Sequence, residues 1–145
     1  MLAADMRDDG WGGRIVNVDF STVVIEQMKK RFEQRGYYDG DEKHSDEPET
    51  TFVCADITEG LPFDDESFDL VIVKGTLDAV LCGKTGSFNA KKVVSECARV
   101  LSTGYGCLFL VTYGNSDSRV EYLEHQNDIS FYWHEVSIQK KVGEK

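Results

Sequence analysis

Long hydrophobic runs are missing from this sequence of 145 residues. No stretch approaches the roughly 20 consecutive apolar residues that a membrane-spanning helix needs. The N-terminus also lacks the charged and then apolar leader of a secreted protein, so nothing marks the chain for export. With 41% hydrophobic and 29% charged residues, the composition is that of a globular protein. We therefore expect a cytoplasmic protein of one domain at most, with no membrane partner.

Residues that bind metals or form disulfides are few. The three histidines have neither a cysteine nor another histidine at ligand spacing, and the four cysteines lack C-x-x-C spacing. Most of the cysteines lie inside apolar runs, which predicts reduced, buried thiols and neither a disulfide nor a zinc site. The residues concerned are Cys54, Cys82, Cys97 and Cys107, and His44, His125 and His134.

Positive charge is also scarce. The chain has 16 lysines and arginines against 26 aspartates and glutamates, which gives a formal net charge of −10. Such a charge opposes binding to nucleic acid and to anionic membranes, because both are densely negative. An acidic surface would suit a basic partner protein, although acidity that serves solubility alone is the simpler interpretation. We expect no nucleic-acid partner.

Aliphatic residues are absent from one stretch, 37–50, which holds six acidic residues and a proline. Its sequence, YYDGDEKHSDEPET, predicts an exposed, mobile acidic loop. Clustered acids also occur in calcium sites, but the D-x-D-x-D-G pattern and the closing glutamate of such a site are missing. We expect a solvated loop and no metal.

Apolar periodicity divides the rest of the chain into alternating strands and helices. Ser21 is expected to cap the second helix and Asn89 the fourth. The alternation predicts an α/β fold with a doubly wound parallel sheet, and no repeat or linker divides it, so residues 1–145 are expected to form a single domain. Strands are expected at 15–20, 51–55, 70–73, 107–113 and 129–138, and helices at 1–10, 22–35, 76–81, 89–101 and 116–126.

The stretch 66–81, ESFDLVIVKGTLDAVL, is the centre of this arrangement. Residues 70–73 form a short apolar run rich in β-branched side chains, which is typical of a parallel strand buried on both faces. The strand ends in a polar corner, Lys74-Gly75, and ligands of open α/β sheets bind outside the carboxyl ends of the strands. A core strand with an ordinary glycine turn is the alternative.

Two other predicted strands also end in polar residues, at Asp19-Phe20 and at Asp56-Ile57. A carboxylate at a strand tip can accept hydrogen bonds from both hydroxyls of a ribose, which suits Asp19. Asp56 can accept a hydrogen bond from the exocyclic amine of an adenine while Ile57 packs on the ring. Each aspartate alone has an ordinary explanation, as the acidic residue of a helix N-terminus or as a turn former. Together, at consecutive strand ends, they indicate an adenosine site.

Four segments resemble the class I S-adenosylmethionine-dependent methyltransferases, and more narrowly the branch close to the lysine methyltransferases of translation elongation factor 1-alpha. They are IVNVDFSTVVIEQMKKRF (15–32), FVCADIT (52–58), LPFDDESFDLVIVKGTLDAVL (61–81) and SECARVLSTGYGCLFLVTYG (95–114). The string KGTLDA after a strand is specific to that branch. The resemblance implies a Rossmann-like sheet and S-adenosylmethionine as cofactor. It places Asp19 and Phe20 at the ribose, Asp56 and Ile57 at the adenine, and Lys74 and Gly75 on the methionine side.

The family's glycine-rich loop, which follows its first strand and holds the methionine end of the cofactor, has no counterpart here. The resemblance implies that the chain begins inside the family's first helix and ends before its last strand, since ISFYWHEVSI (129–138) matches the penultimate one. In the family's sheet the missing first strand lies between the strands that end at Asp19 and Lys74. We therefore expect a domain truncated at both termini that binds cofactor with millimolar affinity or not at all.

The resemblance implies methyl transfer from S-adenosylmethionine to a protein lysine, with translation elongation factor 1-alpha as a candidate substrate. Asp78 and Tyr113 lie near predicted strand ends, but the sequence assigns no catalytic residue. An inactive fragment or pseudoenzyme that serves as an interaction module is the first alternative, favoured by the missing glycine loop. An NAD-dependent oxidoreductase is the second, since Asp19 would bind an NAD ribose equally well.

Overall fold

The computed structural model of this chain describes residues 2–37 and 48–124. The helices are α1 (Leu2–Asp8), α2 (Thr22–Glu33), α3 (Thr76–Leu81), α4 (Gly86–Val100) and α5 (Ser116–Glu124), and the strands are β1 (Ile15–Asp19), β2 (Thr50–Cys54), β3 (Leu70–Lys74) and β4 (Cys107–Val111). Short strands and helices follow one another through these residues, with β3 directly after β2 and α4 directly after α3. Most of the acidic loop, the strand expected at 129–138 and the lysine-rich C-terminus lie outside the described residues.

The chain divides into two compact units, Met1–Pro62 and Phe63–Lys145. Each unit contains one two-stranded parallel sheet, β1 with β2 and β3 with β4. Helix α2 connects the first pair of strands, and α3 and α4 connect the second. Parallel strands joined through helices are the arrangement of an α/β fold, so the predicted fold class is confirmed. That the whole chain forms one domain stays a prediction.

The core of the first unit lies between its two helices and its sheet. Ala3 and Ala4 of α1 are buried, and their small side chains allow close packing. Helix α2 contributes Ile25 and Phe32, with Met28 half-buried beside them, and these residues lie on one apolar face of the helix. The ring of Phe32 meets the ring of Phe52 from β2 edge to face, with 5.4 Å between the ring centroids.

A single guanidinium joins the loop after α1 to the start of β2. Arg7 donates through Nη1 to the carbonyl oxygens of Trp11 and Gly13, at 2.5 and 2.8 Å. Its Nη2 donates to the carbonyl oxygen of Glu49 at 2.7 Å, and its Nε donates to the hydroxyl of Thr50 at 3.0 Å. Thr50 is itself 2% exposed. Arg7 therefore ties the loop after α1 to the start of β2, beside the hydrogen bond that the Ile15 N–H donates to the Glu49 carbonyl oxygen.

The core of the second unit is built on one face of α4. Its buried residues recur at the spacing of a helix, and α4 packs against α3. Leu77 of α3 and Val73 of β3 are buried as well. Asn89 was expected to cap this helix, but the helix begins one turn earlier, after Thr85, and Asn89 lies inside it. Asn89 instead donates from Nδ2 to the Thr85 hydroxyl at 3.2 Å. The buried α4 residues are Gly86, Ala90, Val93, Val94, Cys97 and Val100.

Strand burial and cysteine burial differ from the expectation. Only Val73 of β3 is buried, while the side chains of β4 alternate between exposed and half-buried, and Phe109 is 57% exposed. An apolar run specifies a strand, but a second covering layer decides whether both of its faces are buried. For the same reason Cys54, Cys82 and Cys107 are exposed, and all four cysteines are free. Cys97, on the buried face of α4, is the exception, and burial raises the pKa of its thiol to about 12.

A carboxylate joins three elements of the second unit. Asp78, in the first turn of α3, accepts hydrogen bonds at Oδ1 from the Thr112 hydroxyl at 2.5 Å and from Arg119 Nη2 of α5 at 2.8 Å. Its Oδ2 accepts from the backbone N–H of Tyr113 at 3.0 Å. Burial of Asp78 favours its neutral form, but these three hydrogen bonds outweigh it, and the pKa of Asp78 lies below its usual value.

Among the described residues, no helix has the length and apolar character needed to cross a membrane.

We predict that Arg7→Met destabilises the chain by about 1–2 kcal/mol, because the substitution keeps the aliphatic stem but removes the donor to the Trp11 and Gly13 carbonyl oxygens and to the buried Thr50 hydroxyl. Urea unfolding measures the change. Arg31→Met is the matched control, since Arg31 is an exposed arginine of α2 in the same unit, and it should stay within about 0.5 kcal/mol of wild type. Equal effects of the two substitutions would contradict the role given to Arg7.

We predict a pH-dependent contribution from Asp78. Its folded-state pKa lies below the unfolded value of about 3.9, so the stabilisation is complete well above that value and disappears as the pH falls through the folded-state pKa. Asp78→Asn should therefore cost about 1–3 kcal/mol at neutral pH, and less near pH ~3, in urea unfolding. Asp117→Asn, which replaces an exposed acid of α5, is the control and should show no such pH-dependent difference. A loss of unfolding free energy in Asp78→Asn that is the same at both pH values would refute the ionic role of Asp78.

Candidate functional site

Four of the predicted site residues lie at the carboxyl edge of the first unit's sheet. The parallel register places Asp19, the last residue of β1, opposite Cys54, the last residue of β2. The backbone N–H of Ala55 continues the ladder to the Asp19 carbonyl oxygen at 3.0 Å. The Cys54 thiol donates to the Phe20 carbonyl oxygen at 3.4 Å. The residues that follow these strand ends, Phe20 in one chain segment and Asp56 in the other, therefore leave the sheet at one edge.

The carboxylate of Asp19 organises the start of the next helix. Its Oδ1 accepts a hydrogen bond from the Ser21 backbone N–H at 2.8 Å, and the Ser21 hydroxyl accepts one from the Val24 N–H at 3.4 Å. Ser21 is therefore the cap of α2, as predicted. The Oδ1 atom of Asp19 therefore has the local role that the alternative interpretation predicted, that of an acidic residue at a helix N-terminus. Its Oδ2 has no hydrogen-bond partner among the described residues, so one carboxylate oxygen is available to a ribose hydroxyl.

The two carboxylate oxygens of Asp56 also differ in their hydrogen bonds. Its Oδ1 accepts from the backbone N–H of Thr58 at 2.8 Å and from the Thr58 hydroxyl at 2.7 Å, which closes a turn. Its Oδ2 has no hydrogen-bond partner in the part of the chain that the structure describes. Next to these two carboxylates, the Phe20 side chain is 76% exposed and Ile57 is half-buried. Two carboxylate acceptors beside exposed apolar surface match what an adenosine offers, namely hydroxyls, an amine and a flat ring.

The other two predicted residues form a corner at the carboxyl edge of the second unit's sheet. Lys74 ends β3 opposite Val111 of β4, and its side chain is exposed. The Gly75 N–H donates to the Val111 carbonyl oxygen at 3.0 Å. Gly75 then turns the chain into α3 with a φ of +75°, a left-handed conformation in which any other residue would be strained. The corner therefore consists of an exposed lysine side chain followed by a backbone turn that glycine alone adopts without strain.

Asp78 is a carboxylate near this corner that could have served as a general base, but it already has hydrogen-bond partners. Asp78 is ion-paired with Arg119, whose side chain is only 17% exposed, and it accepts two further hydrogen bonds. A carboxylate with a lowered pKa and three donors is a poor proton acceptor. This network could not be predicted from the sequence, because Asp78 and Arg119 are 41 residues apart and only the fold brings them together. Tyr113, the other residue noted near a strand end, has a side chain that is 99% exposed.

The predicted residues thus form two groups, with Asp19, Phe20, Asp56 and Ile57 in the first unit and Lys74 and Gly75 in the second. Their roles toward a cofactor stay predictions. Within residues 2–37 and 48–124, no group of three histidine, cysteine, aspartate or glutamate side chains is arranged to hold a metal ion.

Comparison with known proteins identifies the family of this chain. The model of the methyltransferase domain family matches residues 1–109. The protein named eEF1A lysine and N-terminal methyltransferase is 38% identical in Bos taurus and 37% identical in Homo sapiens, each over 113 residues. The aligned part is 75% of this chain but 14% of either relative. EEF1A lysine methyltransferase 4 of Mus musculus is 31% identical over 98 residues, which are 62% of this chain and 33% of the mouse protein.

A solved structure gives the same answer for the fold. A SAM-dependent methyltransferase from Methanosarcina mazei matches with a TM-score of 0.57 and 20% sequence identity, over 84% of this chain and 50% of that one. This similarity confirms the predicted Rossmann-like fold, and the family match leaves the NAD-dependent alternative without support. S-adenosylmethionine is accordingly the cofactor of the family, as the resemblance implied. The chain belongs to the methyltransferase domain family, as a class I S-adenosylmethionine-dependent member close to the lysine methyltransferases of elongation factor 1-alpha.

Proposed function

We propose that this chain binds S-adenosylmethionine and contributes to methyl transfer onto a lysine side chain of a protein. The observation that carries the proposal is the pair of carboxylates, Asp19 and Asp56, which share one sheet edge and each keep one oxygen without a partner among the described residues. The chain spans 14% of the length of its bovine relative, so the activity of a whole protein is part of this proposal. Translation elongation factor 1-alpha is the first substrate to test, because the relatives are named for it.

Each site residue has a defined part in holding the cofactor. The free oxygen of Asp19 accepts a hydrogen bond from the ribose, and that of Asp56 accepts one from the adenine amine. The exposed ring of Phe20 and the side chain of Ile57 cover the apolar faces of the adenosine. Lys74 and the backbone at Gly75 line the methionine side.

The bound cofactor supplies a methyl group on a positively charged sulfur. The residues of the protein have to align the incoming amine with that methyl group and exclude water, and such alignment can contribute about 7–11 kcal/mol toward the barrier. The substrate lysine must arrive neutral, and a desolvated approach lowers its pKa because burial disfavours the ammonium form. We assign no base among the described residues.

The charge of the chain agrees with a basic protein substrate. A net charge of −10 attracts a positively charged partner and raises the encounter rate at low salt. The same charge opposes nucleic acid and anionic membrane as partners. We place the protein in the cytoplasm, where a translation factor would meet it.

A second candidate function is that of a non-catalytic interaction module. It is favoured by one observation, that Asp78, the carboxylate three residues after Gly75, accepts hydrogen bonds from Thr112, Tyr113 and Arg119. Methyl transfer from labelled S-adenosylmethionine to elongation factor 1-alpha separates the two candidates, because an interaction module would bind the protein without labelling it.

We predict that S-adenosylhomocysteine, titrated to millimolar concentrations, raises the melting temperature of the chain. A ligand present at its dissociation constant stabilises the folded state by about 0.4 kcal/mol, and the shift grows as the concentration is raised. Asp19→Asn keeps an Oδ1 acceptor for Ser21 but loses the charge that the ribose hydroxyls would meet, so it should weaken binding about tenfold. Glu26→Gln, an exposed acid of α2, is the control. No shift at any concentration, or equal shifts in all three proteins, would contradict the assignment of the ribose to Asp19.

A further inference from the structure

Tyr113 combines an exposed side chain with a fixed backbone. Its ring is 99% exposed, the highest exposure among the large hydrophobic residues at the surface of the described chain. Its backbone N–H, in contrast, donates to Asp78 Oδ2 at 3.0 Å. Exposed aromatic side chains on ordered backbone are typical of recognition sites, because little conformational entropy remains to be lost when a partner binds.

The backbone of Tyr113 is held from both sides. Thr112 before it donates to Asp78 Oδ1 at 2.5 Å and accepts from Arg119 Nε at 2.9 Å. Gly114 after it donates from its N–H to the Thr112 hydroxyl at 3.3 Å. Arg119 completes the network through its 2.8 Å ion pair with Asp78. We call Asp78, Thr112 and Arg119 the polar latch of this turn.

The absence of a side chain at Gly114 leaves room for the Arg119 guanidinium of the latch. A Cβ at this position would lie 2.2 Å from Arg119 Cζ and 2.5 Å from Arg119 Nε. Arginine side chains usually give way, but this guanidinium is tied to Asp78 and Thr112. Any side chain at position 114 therefore has to displace the guanidinium from the latch.

The turn lies beside the Lys74-Gly75 corner. Tyr113 follows Val111 by two residues, and the Val111 carbonyl oxygen accepts the hydrogen bond from the Gly75 N–H. Asp78 belongs to the helix that begins directly after Gly75. The latch thus fixes the exposed tyrosine at the edge of the sheet to which Lys74 and Gly75 also belong.

We propose that Tyr113 is a substrate-contact residue that receives the side chain of the lysine to be methylated, and that the polar latch consists of positioning residues that hold Tyr113 in place. This inference rests on the proposed methyl transfer and adds the residue that meets the substrate. An aromatic ring packs along the aliphatic stem of a lysine side chain, and this contact persists when the amine is neutral. A tyrosine anchored by its backbone offers that contact beside the Lys74-Gly75 corner.

Tyr105 provides the matched comparison. It is also strongly exposed, at 75%, and it also belongs to the second unit. It lies in the turn before β4, and therefore at the amino end of the strand that Tyr113 follows. Its loss removes a similar exposed ring from the opposite end of β4.

The test compares the full chain with Tyr113→Ala and Tyr105→Ala, using labelled elongation factor 1-alpha as the probe. Methyl transfer gives KM and kcat, fluorescence anisotropy gives the affinity for the protein, and calorimetry with S-adenosylhomocysteine gives the affinity for the cofactor. We expect Tyr113→Ala to weaken protein binding, or to raise its KM, by tenfold or more, which is the size of effect typical of an exposed aromatic anchor. Its cofactor affinity and melting temperature should stay at the wild-type values, and Tyr105→Ala should change none of these quantities.

The outcomes separate this inference from the proposed function. If the wild-type chain binds the protein but transfers no methyl group, a selective loss of binding in Tyr113→Ala still supports the contact while methyl transfer by this chain fails. Tyr113→Ala within twofold of wild type, equal losses in both tyrosine variants, or no binding of the protein by wild type would each overturn the inference.

Gly114→Ala tests the latch without removing any polar group. Displacement of the Arg119 guanidinium should speed hydrogen exchange at the Tyr113 amide and raise KM for the protein while cofactor affinity stays unchanged. Unchanged exchange at that amide, or a KM equal to that of wild type, would overturn the positioning role.

Discussion

Parallel strand pairing is the constraint on which the rest of this structure depends. Because β1 and β2 run in the same direction, the chain segments that follow Asp19 and Cys54 leave the sheet at one edge. The pairing of β3 with β4 does the same for the segments after Lys74 and Val111. Residues far apart in the sequence therefore become neighbours without any motif that joins them. Each unit has one such edge, and each edge carries polar side chains where a core strand would have none.

The carboxylates at these edges differ in how much of their hydrogen-bonding capacity the protein itself uses. Asp19 and Asp56 each use Oδ1 in a local turn and keep Oδ2 without a partner among the described residues, so the local role of each residue is compatible with the predicted contact to a ligand. Asp78 uses both oxygens, on Thr112, Arg119 and Tyr113. Asp19 and Asp56 therefore suit a ligand that brings its own hydrogen-bond donors. Asp78 suits a structural role, which is why we assign it to the positioning of Tyr113 and not to proton transfer.

The sequence predicted what depends on local pattern and missed what depends on tertiary contact. Strands β1 to β4, the Ser21 cap and the fold class follow from periodicity and short-range chemistry, and the structure has them, while the strand expected at 129–138 lies outside the described residues. Asn89 was wrong as a cap because Thr85 lies one turn earlier and α4 extends back to it. The exposed cysteines and the exposed Phe109 of β4 were missed because an apolar run does not report whether a second layer covers it. The latch could not be predicted because Asp78 and Arg119 are joined only by the fold. The roles of the six cofactor residues stay predictions, drawn from the strand ends and from the family resemblance.

Amide shifts in the NMR spectrum of the labelled chain test the central claim most directly, namely that the strand ends bind the cofactor. S-adenosylhomocysteine would be added to millimolar concentration while the backbone amides are followed residue by residue, a method that registers weak binding as readily as tight binding. The account predicts saturable shifts at Asp19, Phe20, Asp56, Ile57, Lys74 and Gly75, with the amino ends of the strands unchanged. Shifts confined to the amino ends or to the outer helix faces, or no saturable shift at any residue, would contradict it.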